Sequence, residues 1–284
     1  LHFLVARPLD TARPQRKHRC VRPVRELLPI LRCPACRADR LREAEGALTC
    51  DGCGRTFPVA PYVDLGLGPA PVPPGSLGFA QWTMELGPLA RVYERWWRPA
   101  FVAAQGLLGV PFEAEWFVIR HALGLDYCRG PWLDLACGPG VHTRAIAAAA
   151  PDDLVVGVDL SPAMLARAAE TVPGAAFVRG DVHALPLRDR VFAGVNNGAA
   201  LHLYARPAEA LREVFRVLAP GGVYVLSTLL RAGPSRLFAP LGDRLGLHLW
   251  REDELQAALG AAGFVDYRAA RRGGLLLARV RRPG

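Results

Sequence analysis

The chain has 284 residues, 51% hydrophobic and 21% charged, with 35 basic against 26 acidic side chains and a formal charge of +9. An apolar half is ample for a buried core, which excludes general disorder, and no uninterrupted apolar run approaches the ~18 residues that a membrane-spanning helix needs. The charge invites a nucleic-acid reading, but Lys17 is the only lysine, while alanine, glycine, proline and arginine abound, so arginine number reflects a compositional bias more than phosphate recognition.

Residues 1–32 hold eight basic residues against Asp10 and Glu26, a net +6, which leaves +3 for the other 252 residues (27 basic, 24 acidic). This segment reads as a poorly ordered basic tail. It has no apolar stretch of the kind that directs secretion, and a cytoplasmic location is expected. Residues 33–68 follow with Cys33-Pro34-Ala35-Cys36 and Cys50-Asp51-Gly52-Cys53, separated by 13 residues. Two such knuckles suit a four-thiolate zinc site at Cys33, Cys36, Cys50 and Cys53, each turn placing two sulfurs on one edge of a tetrahedron. Gly52 and Gly54 permit the tight turn that aims amide groups at sulfur. A pair of disulfides is the alternative, disfavoured because Cys20, Cys128 and Cys137 are left over and nothing points to secretion. A site with four thiolates has no open position, so its role is structural or for docking rather than catalytic. The module resembles the small zinc ribbons that precede certain methyltransferase domains, among them rRNA guanine methyltransferases.

A proline-rich linker over residues 69–76 then leads into a helical, aromatic-rich cap over residues 77–130. Within the cap, Leu89, Val92, Tyr93, Trp96, Ala100 and Phe101 recur at helical spacing. They pack on the following domain or, with Trp97, Trp116 and Phe117, roof an apolar pocket. From Pro131 onward, strands expected at Trp132–Ala136, Leu154–Asp159, Ala176–Arg179, Val191–Asn196 and Gly222–Thr228 alternate with helices over Val141–Ala150, Pro162–Thr171, Pro207–Leu218 and Arg251–Ala262. That alternation is the signature of an α/β doubly wound sheet.

Leu133-Asp134-Leu135-Ala136-Cys137-Gly138-Pro139-Gly140 joins the first of these strands to a helix, where backbone amides can approach an anionic group. The spacing is not GxGxxG, which counts against a dinucleotide site. Val155–Asp159 ends in a carboxylate placed to accept two ribose hydroxyls. Gly180-Asp181-Val182, Ala184-Leu185-Pro186 and Arg216-Val217-Leu218-Ala219-Pro220-Gly221-Gly222 follow in order. Together, over about 150 residues, these motifs resemble class I S-adenosylmethionine (SAM)-dependent methyltransferases, most closely the quinone C-methyltransferase-like branch and its plastid members. The resemblance implies a Rossmann-like seven-stranded sheet over residues 131–284 with SAM as cofactor. It also implies that Asp134 orders the glycine loop, that Ala136, Gly138 and Gly140 admit the methionine portion, and that Asp159 holds the ribose. By the same likeness Leu160 packs on the adenine, Asp181 meets the adenine amino group beside Val182, and Asn197 lines the sulfonium side. Ala193 stands where the family usually has an acidic residue.

A sulfonium makes its methyl group electrophilic, so the protein mainly supplies an in-line approach and a dry pocket. A base is required only for an acceptor that is protonated at the working pH. His202 is the first candidate, followed by Tyr204 and by His142 just past the glycine loop. The favoured acceptor is a small, largely apolar or aromatic metabolite, methylated at carbon or oxygen. RNA methylation, with the ribbon gripping phosphate, is second; the stretch Asn196-Asn197-Gly198-Ala199 lacks the NPPY pattern of base-amine methyltransferases. A SAM-binding scaffold or cyclase without methyl transfer is third.

Overall fold

The computed structural model describes residues 22–67, 112–232 and 246–284, together with Pro240, Gly242 and Arg244. The basic tail as far as Val21, the proline-rich linker and the amphipathic stretch 88–105 lie outside the described residues.

Hairpin chemistry builds the first sheet. β1 (Leu41–Ala44) and β2 (Ala47–Cys50) pair antiparallel across Glu45-Gly46, both at positive φ, and β3 (Thr56–Pro58) adds beside β2. A two-residue β4 (Val63–Asp64) follows. After α1 (Phe112–Leu123), strands and helices alternate as β5 (Trp132–Leu135), α2 (Val141–Ala149), β6 (Val155–Asp159), α3 (Pro162–Thr171), β7 (Ala176–Arg179), β8 (Phe192–Asn197), α4 (Pro207–Val217) and β9 (Leu218–Leu229). The chain closes with α5 (Glu252–Ala261), β10 (Val265–Arg272) and β11 (Leu275–Arg281).

The central sheet has eight strands in the order β10-β11-β9-β8-β5-β6-β7-β4. Strands β4 to β9 run parallel, whereas β11 pairs antiparallel with β9 and β10 with β11. Strands β5 and β7 are buried along their whole length, as a parallel sheet covered on both faces requires. On one face Leu133, Val156, Leu211 and Val214 form a core that is continuous with Leu31, Leu48, Phe57 and Leu65 of the N-terminal module. The other face is filled by Ile119, Trp132, Ile146, Leu165 and Phe177. Seven strands belong to the methyltransferase-like sheet; the eighth, β4, comes from the N-terminal module, in register Val63↔Val178 and Asp64↔Arg179.

Residues 22–32, expected within the basic tail, pack into this core from Arg22 onward. Leu27 and Leu31 are buried, and Leu31 bridges Leu187. Arginines stitch the module down. Arg22 donates to the carbonyls of Gly174, Pro151 and Asp153; Arg188 donates to those of Leu28, Leu31 and Asp39. Arg32 and Arg216 share the Asp189 carboxylate at 2.7 and 2.6 Å. The side chains at the heart of this contact are apolar and fully buried because the sheet's outer edge and the ribbon cover each other.

Candidate functional site

The carboxyl ends of β5, β6, β7 and β8 converge, and the singled-out polar residues gather there, as ligand-binding groups do in open α/β sheets. The turn from β5 into α2 carries three left-handed residues: Ala136 at φ 53°, Gly138 at 54° and Gly140 at 87°. At Gly140 the reason is also steric, since a Cβ there would lie 2.7 Å from Val172 and 3.3 Å from Ala168 of the next helix. A Cβ at Gly138 would meet nothing within 4 Å, which leaves the backbone of the loop open to a ligand. Ala136 holds a conformation that costs a side-chain-bearing residue about 1 kcal/mol.

Two carboxyl groups, buried Asp134 and half-buried Asp159, frame this loop. Asp134 accepts the Thr143 hydroxyl at 2.5 Å and the Asn196 amide at 2.8 Å. Burial raises its pKa, opposed by the nearby His142 charge and by those two hydrogen bonds. Asp159 accepts the amides of Gly138 at 2.8 Å and Ser161 at 2.9 Å. It too is raised by burial, opposed chiefly by the Ser161 and Gly138 amides. Ser161 caps α3 by accepting the Met164 amide, with Pro162 opening the helix. The Leu160 carbonyl accepts from Arg179 at 3.1 Å. After β7, Asp181 accepts both the His183 amide at 2.9 Å and the His183 ring at 2.7 Å. Burial would raise this carboxyl, but the His183 contacts and charge bring it below the usual range. Val182 beside it is buried.

At the end of β8, Asn197 donates to the Leu135 carbonyl at 3.0 Å and to the Tyr204 hydroxyl at 2.6 Å. Its buried Oδ1 has no hydrogen-bond partner among the described residues. Tyr204 is buried and its phenol is pushed well above its ordinary value. His202, on a short 3-10 turn over Leu201–Leu203, is buried as well, and desolvation pulls its imidazole down to about 4. His142 lies 3.3 Å from the Glu115 carboxylate of α1, and its ring covers Gly198 so closely that a Cβ there would sit 2.5 Å from it. Of the aromatic cap residues within reach, Trp116 packs half-buried on the second core, while Phe117 is exposed and stacks on His121. Tyr93, Trp96 and Trp97 lie outside the described residues.

Sequence reasoning passed over Thr143, Asn196 and Glu115. Asn196 stands in register with Asp134 across β8 and β5, and Thr143 falls on the first turn after the glycine loop, so both carry a readable signal. Glu115 reaches His142 from a helix 27 residues upstream, which no local pattern announces.

In the N-terminal module the four cysteines come together. Their Sγ atoms all lie within 4.8 Å of one another, with Cys33–Cys53 at 3.8 Å and Cys36–Cys50 at 3.5 Å. These spacings are far too long for disulfides and near the ~3.8 Å sulfur–sulfur edge of a tetrahedral zinc thiolate. The Gly52 amide donates to Cys50 Sγ at 3.3 Å, and a Cβ at Gly52 would crowd Ala38 at 2.9 Å and Cys36 Sγ at 3.3 Å. The donor set, the spacing and the amide-lined turn fit the metal.

Residues 133–226 match the family described as a methyltransferase domain, and residues 25–60 match Trm112p-like proteins. An uncharacterized methyltransferase of Synechocystis is 35% identical over 144 residues, 48% of this chain and 67% of that protein. The chain belongs to the class I SAM-dependent methyltransferases. An uncharacterized chloroplastic methyltransferase of Arabidopsis thaliana is 31% identical over 189 residues, 62% of this chain and 53% of that protein. This methyltransferase thus spans about half the length of the first curated relatives it matches. In fold it is similar to a SAM-dependent methyltransferase of Thermotoga maritima, with a TM-score of 0.55 at 18% identity over 71% of this chain and 99% of that one. No described helix is long and apolar enough to cross a membrane.

Proposed function

We propose that this enzyme methylates carbon or oxygen of a small, largely apolar or aromatic molecule. The observation that carries the reading is the loop from Asn197 to Tyr204. Ala200, Leu201, His202 and Tyr204 are buried there, and burial keeps both the imidazole and the phenol uncharged at neutral pH. Among the described residues this loop offers no cation to a phosphate. SAM supplies an electrophilic methyl on a positively charged sulfonium. Two carboxyl groups, buried Asp134 and half-buried Asp159, suit a ligand that brings positive charge. Asp159 would hold the ribose, Asp181 the adenine amino group beside Val182 and Leu160, and the open backbone of Ala136, Gly138 and Gly140 the methionine portion. The orphaned Asn197 Oδ1 would face the donor. A neutral His202 is able to accept a hydrogen bond from an acceptor O–H, but its low basicity favours positioning over proton abstraction; His142, held by Glu115, is the stronger candidate base. Tyr204 orients Asn197.

Four thiolates would hold a structural zinc in the ribbon. Of the arginines that flank it, Arg32 is committed to Asp39 and Asp189 of the same chain, whereas Arg37, Arg40 and Arg55 are exposed, so a panel of acceptors decides between RNA and a small molecule. Named relatives of partial coverage include a trans-aconitate 2-methyltransferase and a demethylmenaquinone methyltransferase, whose names give different small-molecule acceptors. Calorimetric titration with SAM tests the core of the reading: binding by the wild type, abolished in Asp159→Ala, is expected, and no binding at millimolar SAM defeats it. Incubation with SAM and a panel of quinols, phenols, carboxylates and transcribed RNA then reads acceptor class by methyl incorporation. RNA as the sole methylated acceptor, with binding that falls steeply with salt, replaces the small-molecule reading.

A further inference from the structure

A buried side chain links the ribbon to the cofactor end of the sheet. Arg179, the last residue of β7, is 3% exposed. Its Nη1 lies 3.3 and 3.4 Å from the two carboxylate oxygens of Asp64, on the ribbon's strand β4, and its Nε donates to the Leu160 carbonyl at 3.1 Å. The clamp has a third side. The Leu65 amide donates to the Arg179 carbonyl at 3.1 Å, and the Gly66 amide donates to Asp64 at 3.0 Å. Gly66 lies flat on the guanidinium: a Cβ there would sit 2.7 Å from Nη1 and 2.8 Å from Cζ. Leu160 immediately follows Asp159, whose carboxylate holds the Gly138 amide of the glycine loop. A guanidinium is a planar fork with fixed donor directions, so displacing Asp64 or Gly66 re-aims the Nε that holds Leu160.

We propose that Arg179 is a positioning residue through which the N-terminal ribbon sets the adenosine-side edge of the cofactor pocket, making cofactor affinity depend on how β4 docks. This rests on the assignment of Asp159 and Leu160 to that pocket. Removing Asp64 leaves a buried arginine with one of its charge partners gone, and the arginine then shifts toward other acceptors, taking Leu160 with it. The ribbon thereby acts on the site from outside it, since neither Asp64 nor Gly66 belongs to the set expected to touch cofactor.

The test is titration calorimetry of the full chain with S-adenosylhomocysteine, paired with thermal unfolding of each protein. Asp64→Asn and Arg179→Gln are each expected to weaken binding about tenfold, a usual size for coupling between sites. The double variant should be no worse than Arg179→Gln alone, because both act through one link. Arg179→Lys, which can satisfy one partner at a time, should recover part of the loss. Gly66→Ala keeps every charge and should weaken binding by displacing the guanidinium, so it decides the matter where Arg179→Gln fails to fold. Arg32→Gln loosens the ribbon at a different contact and should lower the unfolding midpoint while leaving affinity unchanged. Wild-type affinity in Asp64→Asn and Gly66→Ala overturns the proposal, as does an equal loss of affinity in Arg32→Gln, which would mark general destabilisation. Asp159→Ala separates the two readings. Should it abolish binding while the Arg179 set binds normally, only the link fails; should it bind normally, the pocket assignment fails as well.

Discussion

His202 sits at the carboxyl edge of the sheet with a folded-state pKa near 4 against an ordinary 6.5, lowered by burial. Between those two values the unfolded chain binds more protons than the folded one, so folding weakens as pH falls from 6.5 toward 4, and the contribution is flat above 6.5. The loss is about 3 kcal/mol at its limit. Urea unfolding at acidic and neutral pH should show it, with a shallower acid slope in His202→Gln; an identical slope in that variant places the titration elsewhere. Gly198 allows a sharper test of the neighbouring His142. Gly198→Ala drives a methyl group into the imidazole, which must leave Glu115. Turnover should fall about tenfold or more, the usual contribution of a positioned acid or base, while S-adenosylhomocysteine affinity holds; unchanged turnover removes His142 from the chemistry. At this scale the sequence was readable where backbone geometry demands a residue type. Gly140 must lack a Cβ, and Asp159 ends a strand where a carboxylate can bind amides or hydroxyls. It was unreadable where two side chains meet across the fold, as with Glu115 and His142, because nothing in either neighbourhood encodes the other.

Helices and strands of the sheet were legible from their apolar runs, since a strand buried on both faces reads as continuous hydrophobic sequence and a helix follows each glycine or proline stop. The helix over Pro162–Thr171 and the strand Ala176–Arg179 fall at the expected bounds. Strand β4 was not legible. Two residues long, it has no periodicity to detect, and it exists because the edge of β7 offers unpaired backbone groups. The zinc ribbon changes meaning accordingly. A module tied on by a linker alone would unfold by itself on losing metal. Here Leu31, Leu48, Phe57 and Leu65 share one core with Leu133 and Val156. Removal of the proposed zinc, whose binding energy in such small modules is of order 10 kcal/mol, should therefore lower the melting of the sheet along with that of the ribbon, in one shifted transition. Calorimetry before and after chelation checks this; a separate early transition with an unmoved main one would show a ribbon that folds independently.

Across the whole molecule, the positive charge that first suggested nucleic acid divides between the N-terminal tail and the rest of the chain. Residues 1–21 carry five basic residues and Asp10, a net +4, and the remaining 30 basic and 25 acidic residues give +5. Arg22, Arg32, Arg179 and Arg188 among them hold carbonyls and carboxylates between the ribbon and the sheet rather than facing a partner. An interface built this way is obligate: its centre is apolar, its rim is hydrogen-bonded arginine, and its margin is a strand pair. Each buried leucine contributes about 2 kcal/mol, and the exposed edge of β7 would otherwise be a template for aggregation. Deleting residues 22–67 should consequently leave the remainder insoluble or with an unfolding midpoint lower by many degrees, and supplying residues 22–67 as a separate chain during expression should restore soluble protein. The same rescue should fail with Leu31→Asp in the separate chain, since that substitution places a charge against Leu187 at the bridge. A soluble, normally melting deletion would mean instead that the sheet is complete at β7, and that the arginines between the two parts contribute little, as exposed ion pairs commonly do. The sedimentation and melting of these three preparations distinguish a methyltransferase that carries a ribbon from one that is finished by it.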